Sequence, residues 1–256
     1  MTAARAVAAE RMESMLPVRK LLVANLGQAD YSSALELQMR IVAARHADAI
    51  ADTILLLEHP HVYTLGRGAD ERLILASLPG VPIHRVSRGG QVTYHGPGQL
   101  IGYPILKLEG PMRDVTGYLR RLEQVMIDAL GSFAISATRR EKFTGVWTGS
   151  ANASKIASIG VGIRRWVTYH GFAINVATDL SYFDAIVPCG IAGCEMTSVA
   201  KLGRPDITVD AFATSIAESF ARNFDYAEVA RLEATALASM LDTQQENSQA
   251  PSLNDG

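Results

Sequence analysis

Cysteine is scarce in this chain. Its two thiols among 256 residues, Cys189 and Cys194, lie five apart and cannot staple a fold of this size. Free thiols in a reducing compartment, the cytoplasm, are the expectation. Long apolar runs are missing as well: nothing reaches the roughly 18 consecutive apolar residues of a membrane span. Met1 to Glu10 also lacks the apolar core of a secretory signal. Charge of one sign does not accumulate either. Lys and Arg number 24 against 26 Asp and Glu, a formal net charge of −2, which gives no electrostatic footing for nucleic acid or an anionic membrane as partner. The Gly-x-x-x-x-Gly-Lys-Ser/Thr phosphate loop and the dinucleotide glycine fingerprint are both absent, so nucleotide-driven chemistry has no local support. The six histidines are scattered, and His59-Pro60-His61 is the nearest approach to a ligand cluster. No metal and no cofactor is expected.

What is present suits one large core. Apolar residues make up 48% and charged residues 20%, ordinary values for a globular protein. Residues 1–17 and 242–256 read as disordered tails, the second rich in Gln, Asn, Ser and Asp, around a single domain over 18–241. Short apolar runs predict strands at Lys20–Ala24, Ile54–Leu57, Val62–Gly66, Val81–Val86 and Leu100–Leu106. Helices are predicted from Asp30–Ser32 to about Asp48, over Asp114–Leu130 with a stop at Gly131, over Thr208–Asn223, and around Tyr226–Leu241.

The densest signal is Arg88-Gly89-Gly90-Gln91-Val92-Thr93-Tyr94-His95-Gly96-Pro97-Gly98-Gln99. Four glycines and a proline in twelve residues let a ligand approach the main chain closely, and polar side chains in such a loop carry function more often than scaffold does. Two later strands alternate. In Lys155–Ile163, Ser158, Gly160 and Gly162 fall on one face; in Val167–Ala177, Gly171 and Ala173 do. Such faces leave room above the sheet for a helix or for a ligand. Cys189, in the turn Pro188-Cys189-Gly190-Ile191, is the best nucleophile available. A nearby cation such as Lys155 would favour its thiolate, though an inert buried cysteine fits the same residues.

Together these blocks resemble a known family. The Arg88–Gln99 stretch with Tyr103-Pro104, then Gly145-Val146-Trp147, Lys155-Ile-Ala-Ser-Ile-Gly160, His170-Gly-Phe-Ala-Ile-Asn175, Pro188-Cys189-Gly190-Ile191 and Thr197-Ser198 look like the lipoyl(octanoyl) transferases of lipoate biosynthesis. The likeness covers roughly residues 20–225. It implies an α/β catalytic domain like that of biotin and lipoate protein ligases, a mixed sheet flanked by helices. It implies transfer of an octanoyl group from octanoyl-acyl carrier protein to a lysine of lipoyl domains. The acceptors would be E2 subunits of 2-oxoacid dehydrogenases and the glycine cleavage H protein. By resemblance the acyl-thioester nucleophile falls on Cys189 and its activating lysine on Lys155. The substrate-binding segments fall on Arg88, Gly89, Gly90, Gln91, Val92, Thr93, Tyr94 and His95, on Ser158, Ile159 and Gly160, and on Gly171, Phe172 and Ala173. Rival readings are an ATP-dependent ligase of the same fold, a non-catalytic binding module for lipoyl domains or carrier protein, and a cysteine thioesterase.

Overall fold

The computed structural model describes residues 19–149, 153–191 and 193–249; the expected tail over 1–17 lies outside them. Eleven strands and four α-helices are laid out among the described residues. An eight-stranded sheet comprises β1 (Lys20–Gln28), β2 (Asp52–Glu58), β6 (Gln99–Ile105), β7 (Ala137–Arg140), β8 (Phe143–Thr148), β9 (Ser154–Arg164), β10 (Val167–Asn175) and β11 (Glu228–Glu233), in the order β11-β1-β2-β6-β10-β9-β8-β7. The β11–β1 and β1–β2 pairs are parallel and the other five antiparallel, so the sheet is mixed, as expected. A small second sheet orders β4 (Ile83–Arg85), β3 (Val62–Leu65) and β5 (Val92–His95).

Helices cover both faces of the large sheet. On one, α2 (Val115–Gly131) and α3 (Val209–Asn223) bury Leu122, Met126, Phe212, Ile216 and Phe220 against Ile54, Leu100, Val146 and Ile174. On the other, α1 (Tyr31–His46) and α4 (Ala234–Gln249) pack Ile41, Val42, Leu237 and Leu241 over Leu55, Leu57, Ile101 and Tyr103. Alternation in β2 and β6 sends successive side chains to opposite cores, which is why both strands read as unbroken apolar runs. Caps fix the helix starts: Asp30 accepts from the backbone N–H groups of Ser32 (2.9 Å) and Ser33 (3.3 Å), and Thr208 from Ala211 (3.2 Å).

Three expectations are corrected. The helix predicted over Tyr226–Leu241 is instead β11 followed by α4. Glu228-Val-Ala-Arg-Leu-Glu has helical composition, yet its backbone closes the open edge of β1 from Lys20 to Asn25, and tertiary pairing overrides propensity. The tail expected from 242 begins inside α4, which runs to Gln249. The strand expected over Val81–Val86 is only the three residues of β4. The β7–β8 hairpin was not foreseen.

Candidate active site

Pro188, Cys189 and Gly190 form a single 3-10 turn in which Cys189 takes φ +58°. A non-glycine residue adopts that left-handed conformation at a cost of about 1–2 kcal/mol, and keeps it only where its surroundings fix it. Here they do. The Val187 N–H donates to Leu73 O (2.7 Å), Gly190 N–H to Val187 O (3.0 Å) and Ile191 N–H to Pro188 O (3.1 Å).

The sulfur meets β9. Lys155 Nζ stands 3.0 Å from Cys189 Sγ, and Ser158 Oγ 3.7 Å from it. Strict alternation would send Lys155 and Ser158 to opposite faces. The register slips between β8 and β9, however, with Val146 opposite Ala157 and the next residue, Trp147, opposite Lys155. That extra residue on β9 is a bulge, which re-aims a side chain. The Lys155 backbone is clamped on its other edge, its N–H donating to Glu195 O (2.8 Å) and its carbonyl accepting from Thr197 (2.9 Å). The segment leaving the Cys189 turn thus returns to hold the lysine.

Lys155 is only 1% exposed. Besides Cys189, its ammonium donates to Thr144 O (3.2 Å) and sits 4.9 Å from the centre of the Trp147 ring. No carboxylate pairs with it among the described residues. The second thiol differs: burial pushes Cys194 up, toward the neutral thiol, against the opposing pull of Lys155.

Cys189 and Lys155 open on a cavity of about 340 Å³, within the range of small-ligand sites. Its wall sets buried, neutral polar groups beside three basic residues, Arg88, Lys142 and Lys155. Burial pushes Tyr31 up to about 12 and Tyr103 well above its ordinary value, and pulls His95 and His170 down to about 3, so all four are neutral at pH 7. His95 is tied to Gln99 Oε1 (2.8 Å) and lies 3.4 Å from Thr64 Oγ1. Arg88 is charged, and four of its five N–H donors are spent. They reach Thr64 O (2.7 Å), Thr64 Oγ1 (2.8 and 3.3 Å) and Gly89 O (3.0 Å). Burial lowers this guanidinium, which starts high enough to stay charged. Arg88 therefore pins the glycine-rich loop to β3.

Of the residues picked out from sequence, Arg88, Gly90, Gln91, Val92, Thr93, His95, Ser158, Ile159, Gly160, Gly171, Phe172 and Ala173 line this cavity with Lys155 and Cys189. Gly89 and Tyr94 do not. The Gly89 N–H donates to Val161 O (2.8 Å), fastening the loop to β9. In β5, Thr93 and His95 alternate with Tyr94, whose hydroxyl bonds His61 Nδ1 (2.7 Å) and whose ring packs among Tyr63, Tyr182 and Phe183 on the far side. His59, half of the candidate ligand pair, spends its nitrogens on Ala29 O (2.7 Å) and Tyr103 (2.8 Å).

The small-residue faces are partly filled by the protein itself. A Cβ on Gly160 would lie 2.9 Å from Arg88 Cδ and 3.0 Å from Gly89 O; on Gly162 it would strike the Tyr169 ring, and on Gly171 the Gly102 carbonyl at 2.1 Å. These glycines admit the glycine-rich loop and strand β6 as much as any ligand. Sequence reasoning did not single out Tyr31 or Thr144, and it named His170 only as the first residue of a family block. His170 is buried at φ +54°, its N–H turned out to Gln38 Oε1 (2.8 Å), and no local pattern signals that.

The chain has relatives among known proteins. Residues 30–221 match the family described as lipoyl protein ligase A/B catalytic domain. The octanoyltransferase of Solibacter usitatus (strain Ellin6076) is 50% identical over 214 residues, covering 82% of this chain and 95% of that one. The octanoyltransferase of Syntrophobacter fumaroxidans is 44% identical over 214 residues, 81% and 92% of the two chains. Among solved structures, a lipoate-protein ligase A bound with ATP superposes with a TM-score of 0.65 at 16% identity over 91% of this chain and 95% of its own. A bi-partite lipoate protein ligase from Thermoplasma acidophilum gives 0.61 at 15% identity over 90% and 92%; at such identities the likeness is one of fold. The chain belongs to the lipoyl protein ligase A/B catalytic-domain family and, within it, to the octanoyltransferases, which are acyltransferases.

Proposed function

We propose that this octanoyltransferase takes its acyl group from octanoyl-acyl carrier protein and carries it as a thioester on Cys189. The acceptors are lysines on lipoyl domains of 2-oxoacid dehydrogenase E2 subunits and the glycine cleavage H protein, and the reaction is cytoplasmic. One observation carries the reading: the strained Cys189 turn holds its sulfur 3.0 Å from the buried Lys155 ammonium at the mouth of a ligand-sized cavity.

The thiolate attacks the thioester carbonyl, and the departing phosphopantetheine sulfur takes a proton from Lys155. The lysine, now neutral, removes a proton from the incoming amine as that attacks the acyl-enzyme. Thr144 O accepts a separate N–H and keeps Nζ in place through both steps. Thioester to thioester is nearly neutral and thioester to amide is downhill, so no nucleotide is needed. The octanoyl chain occupies the cavity that Ile159, Gly160, Phe172 and Ala173 help to line. Two backbone donors of the glycine-rich loop and the Cys189 turn, Gly89 N–H and Gly190 N–H, are committed to carbonyls and do not serve the oxyanion. The catalytic domain is single and extends through α4 to Gln249.

Intact-protein mass after incubation with octanoyl-acyl carrier protein, without ATP, tests this. The wild type gains one octanoyl group and passes it to an apo lipoyl domain, while Cys189→Ala gains none. An adduct persisting on Cys189→Ala sinks the assignment. Acceptor modified only with free octanoate and ATP makes the chain a ligase, and release of free octanoate makes it a thioesterase.

A further inference from the structure

Glu123 lies on the buried face of α2 and is 0% exposed, a costly place for a carboxylate unless it is fully partnered. One oxygen, Oε2, accepts from Arg120 (2.7 Å) and Arg139 (3.0 Å). The other, Oε1, turns the opposite way and accepts the Gly145 N–H at 3.1 Å. That N–H belongs to the peptide joining Thr144 to Gly145, and the carbonyl of the same peptide is the one that accepts from Lys155 Nζ. The peptide is pressed onto the lysine: Gly145 sits at φ +131°, and a Cβ there would lie 2.8 Å from Lys155 Cε and 2.5 Å from Ala157 O.

We infer that Glu123 is a positioning residue for Lys155, acting through the Thr144–Gly145 peptide, which it grips by the N–H so that the carbonyl faces the ammonium. A carboxylate on the N–H polarises the amide and makes its carbonyl a stronger acceptor, because hydrogen bonds in series reinforce one another at low dielectric. The chain of contacts runs Glu123, peptide, Lys155, Cys189. Arg120 and Arg139 hold the carboxylate from behind, and Arg139 also donates to Arg120 O (2.9 Å) and Gln124 Oε1 (2.8 Å), which joins the β7–β8 hairpin to α2. Glutamate rather than glutamine belongs here, because a carboxamide would have to turn its NH₂ toward either two guanidinium groups or the Gly145 N–H. The inference rests on the Lys155–Cys189 reading proposed above.

The test is the rate of Cys189 alkylation by iodoacetamide in the full chain carrying Cys194→Ser, so that one thiol reports and no acyl substrate is required. Glu123→Gln is expected to slow alkylation at pH 7 about tenfold, the loss of one hydrogen bond to a charged group. The rate should recover above pH 9, where a thiol ionises unaided. In transfer assays its kcat falls while KM for the donor is unchanged. Arg139→Gln removes an ion pair from the same carboxylate but leaves the Gly145 contact, so it lowers the melting temperature and keeps the alkylation rate within twofold. Glu123→Asp keeps the charge but is a methylene too short for Gly145. It should slow alkylation as Glu123→Gln does, and it serves if the glutamine variant fails to fold. Equal slowing by Arg139→Gln, or none by either Glu123 variant while Lys155→Ala does slow it, overturns the relay and leaves the lysine's role standing. No slowing by Lys155→Ala overturns that role and the relay together.

Discussion

Lys155→Met separates what the lysine does for chemistry from what it does for stability. Nearly full burial of an ammonium costs several kcal/mol even after relaxation. Against this stand hydrogen bonds to Cys189 and Thr144, at about 1.5–3 kcal/mol each for a charged donor. The Trp147 ring at 4.9 Å adds roughly 0.5–2 kcal/mol. The two sides are of similar size, so the ammonium is worth little to the fold. Methionine is of similar length, lays a polarisable thioether on Trp147 and carries no desolvation penalty. The variant should melt no lower than the wild type and up to a few degrees higher. Octanoyl transfer should fall about 10²–10⁴-fold, the range for loss of a general acid and base. Thermal unfolding by calorimetry and transfer to a lipoyl domain followed by mass give the two readouts. A melting temperature lower by more than about 4 °C corresponds to at least 1 kcal/mol in a domain of this size. That result would show the ammonium to be a net stabiliser and refute the reasoning.

Other expectations follow from the same geometry. Gly160→Ala places a Cβ 2.9 Å from Arg88 Cδ and 3.0 Å from Gly89 O. Arg88 is held by Thr64, so the glycine-rich loop must move; about 1–3 kcal/mol of stability should be lost, with a several-fold drop in kcat/KM, and an unchanged enzyme would mean the loop is looser than drawn. Gly171→Leu drives its Cβ into the Gly102 carbonyl at 2.1 Å. It should cripple folding rather than shorten chain-length preference; a folded variant transferring butanoyl but not octanoyl would contradict this. His170, pulled down to about 3 by burial, takes up its proton on unfolding between its ordinary pH range and pH 3. Stability should therefore fall as pH drops from about 6.5 toward 3, at up to about 1.4 kcal/mol per pH unit for this group. His170→Asn, which tolerates the positive φ, should flatten that slope in acid unfolding curves, and an unaltered slope would assign the acid sensitivity elsewhere. Iodoacetamide at pH 7 should label Cys189 well before Cys194, whose thiol burial pushes up; peptide mapping that finds Cys194 first would reverse the reading of the two thiols.

How much of this was legible in the chain depends on what each feature is made from. Local chemistry announced itself: the Asp30 and Thr208 caps, the apolar runs of β2 and β6, and the amphipathic pattern of α2 and α3 all come from neighbours in sequence. The edge strand β11 did not, because Glu228–Glu233 is a strand only by virtue of β1 beside it. The motifs located Cys189 and Lys155, but not how they meet. That depends on a one-residue slip between β8 and β9, which reverses the alternation by which faces are counted. Nor could the sequence separate a polar residue that only faces the cavity from one that holds the loop. Arg88 and Tyr94 are written into the same twelve-residue stretch as Thr93 and His95. Yet Arg88 is consumed by Thr64 and Gly89, and Tyr94 points into the opposite cluster.

The site is thus built by making three groups stand where none would stand alone: a cysteine in left-handed backbone, an ammonium without a carboxylate partner among the described residues, and a carboxylate sunk in an apolar helix face. Each costs free energy locally, and each is held by elements that have no part in the chemistry. Leu73 and Val187 fix the turn, Glu195 and Thr197 clamp the lysine backbone, and Arg120 and Arg139 hold the glutamate. The two cores on either side of the sheet make this tolerable, because α1 to α4 are anchored by apolar burial that does not depend on the site. Variants that neutralise the strained groups should therefore lose activity before they lose the fold, whereas a variant in a clamp, Arg139→Gln, should lose stability before it loses reactivity.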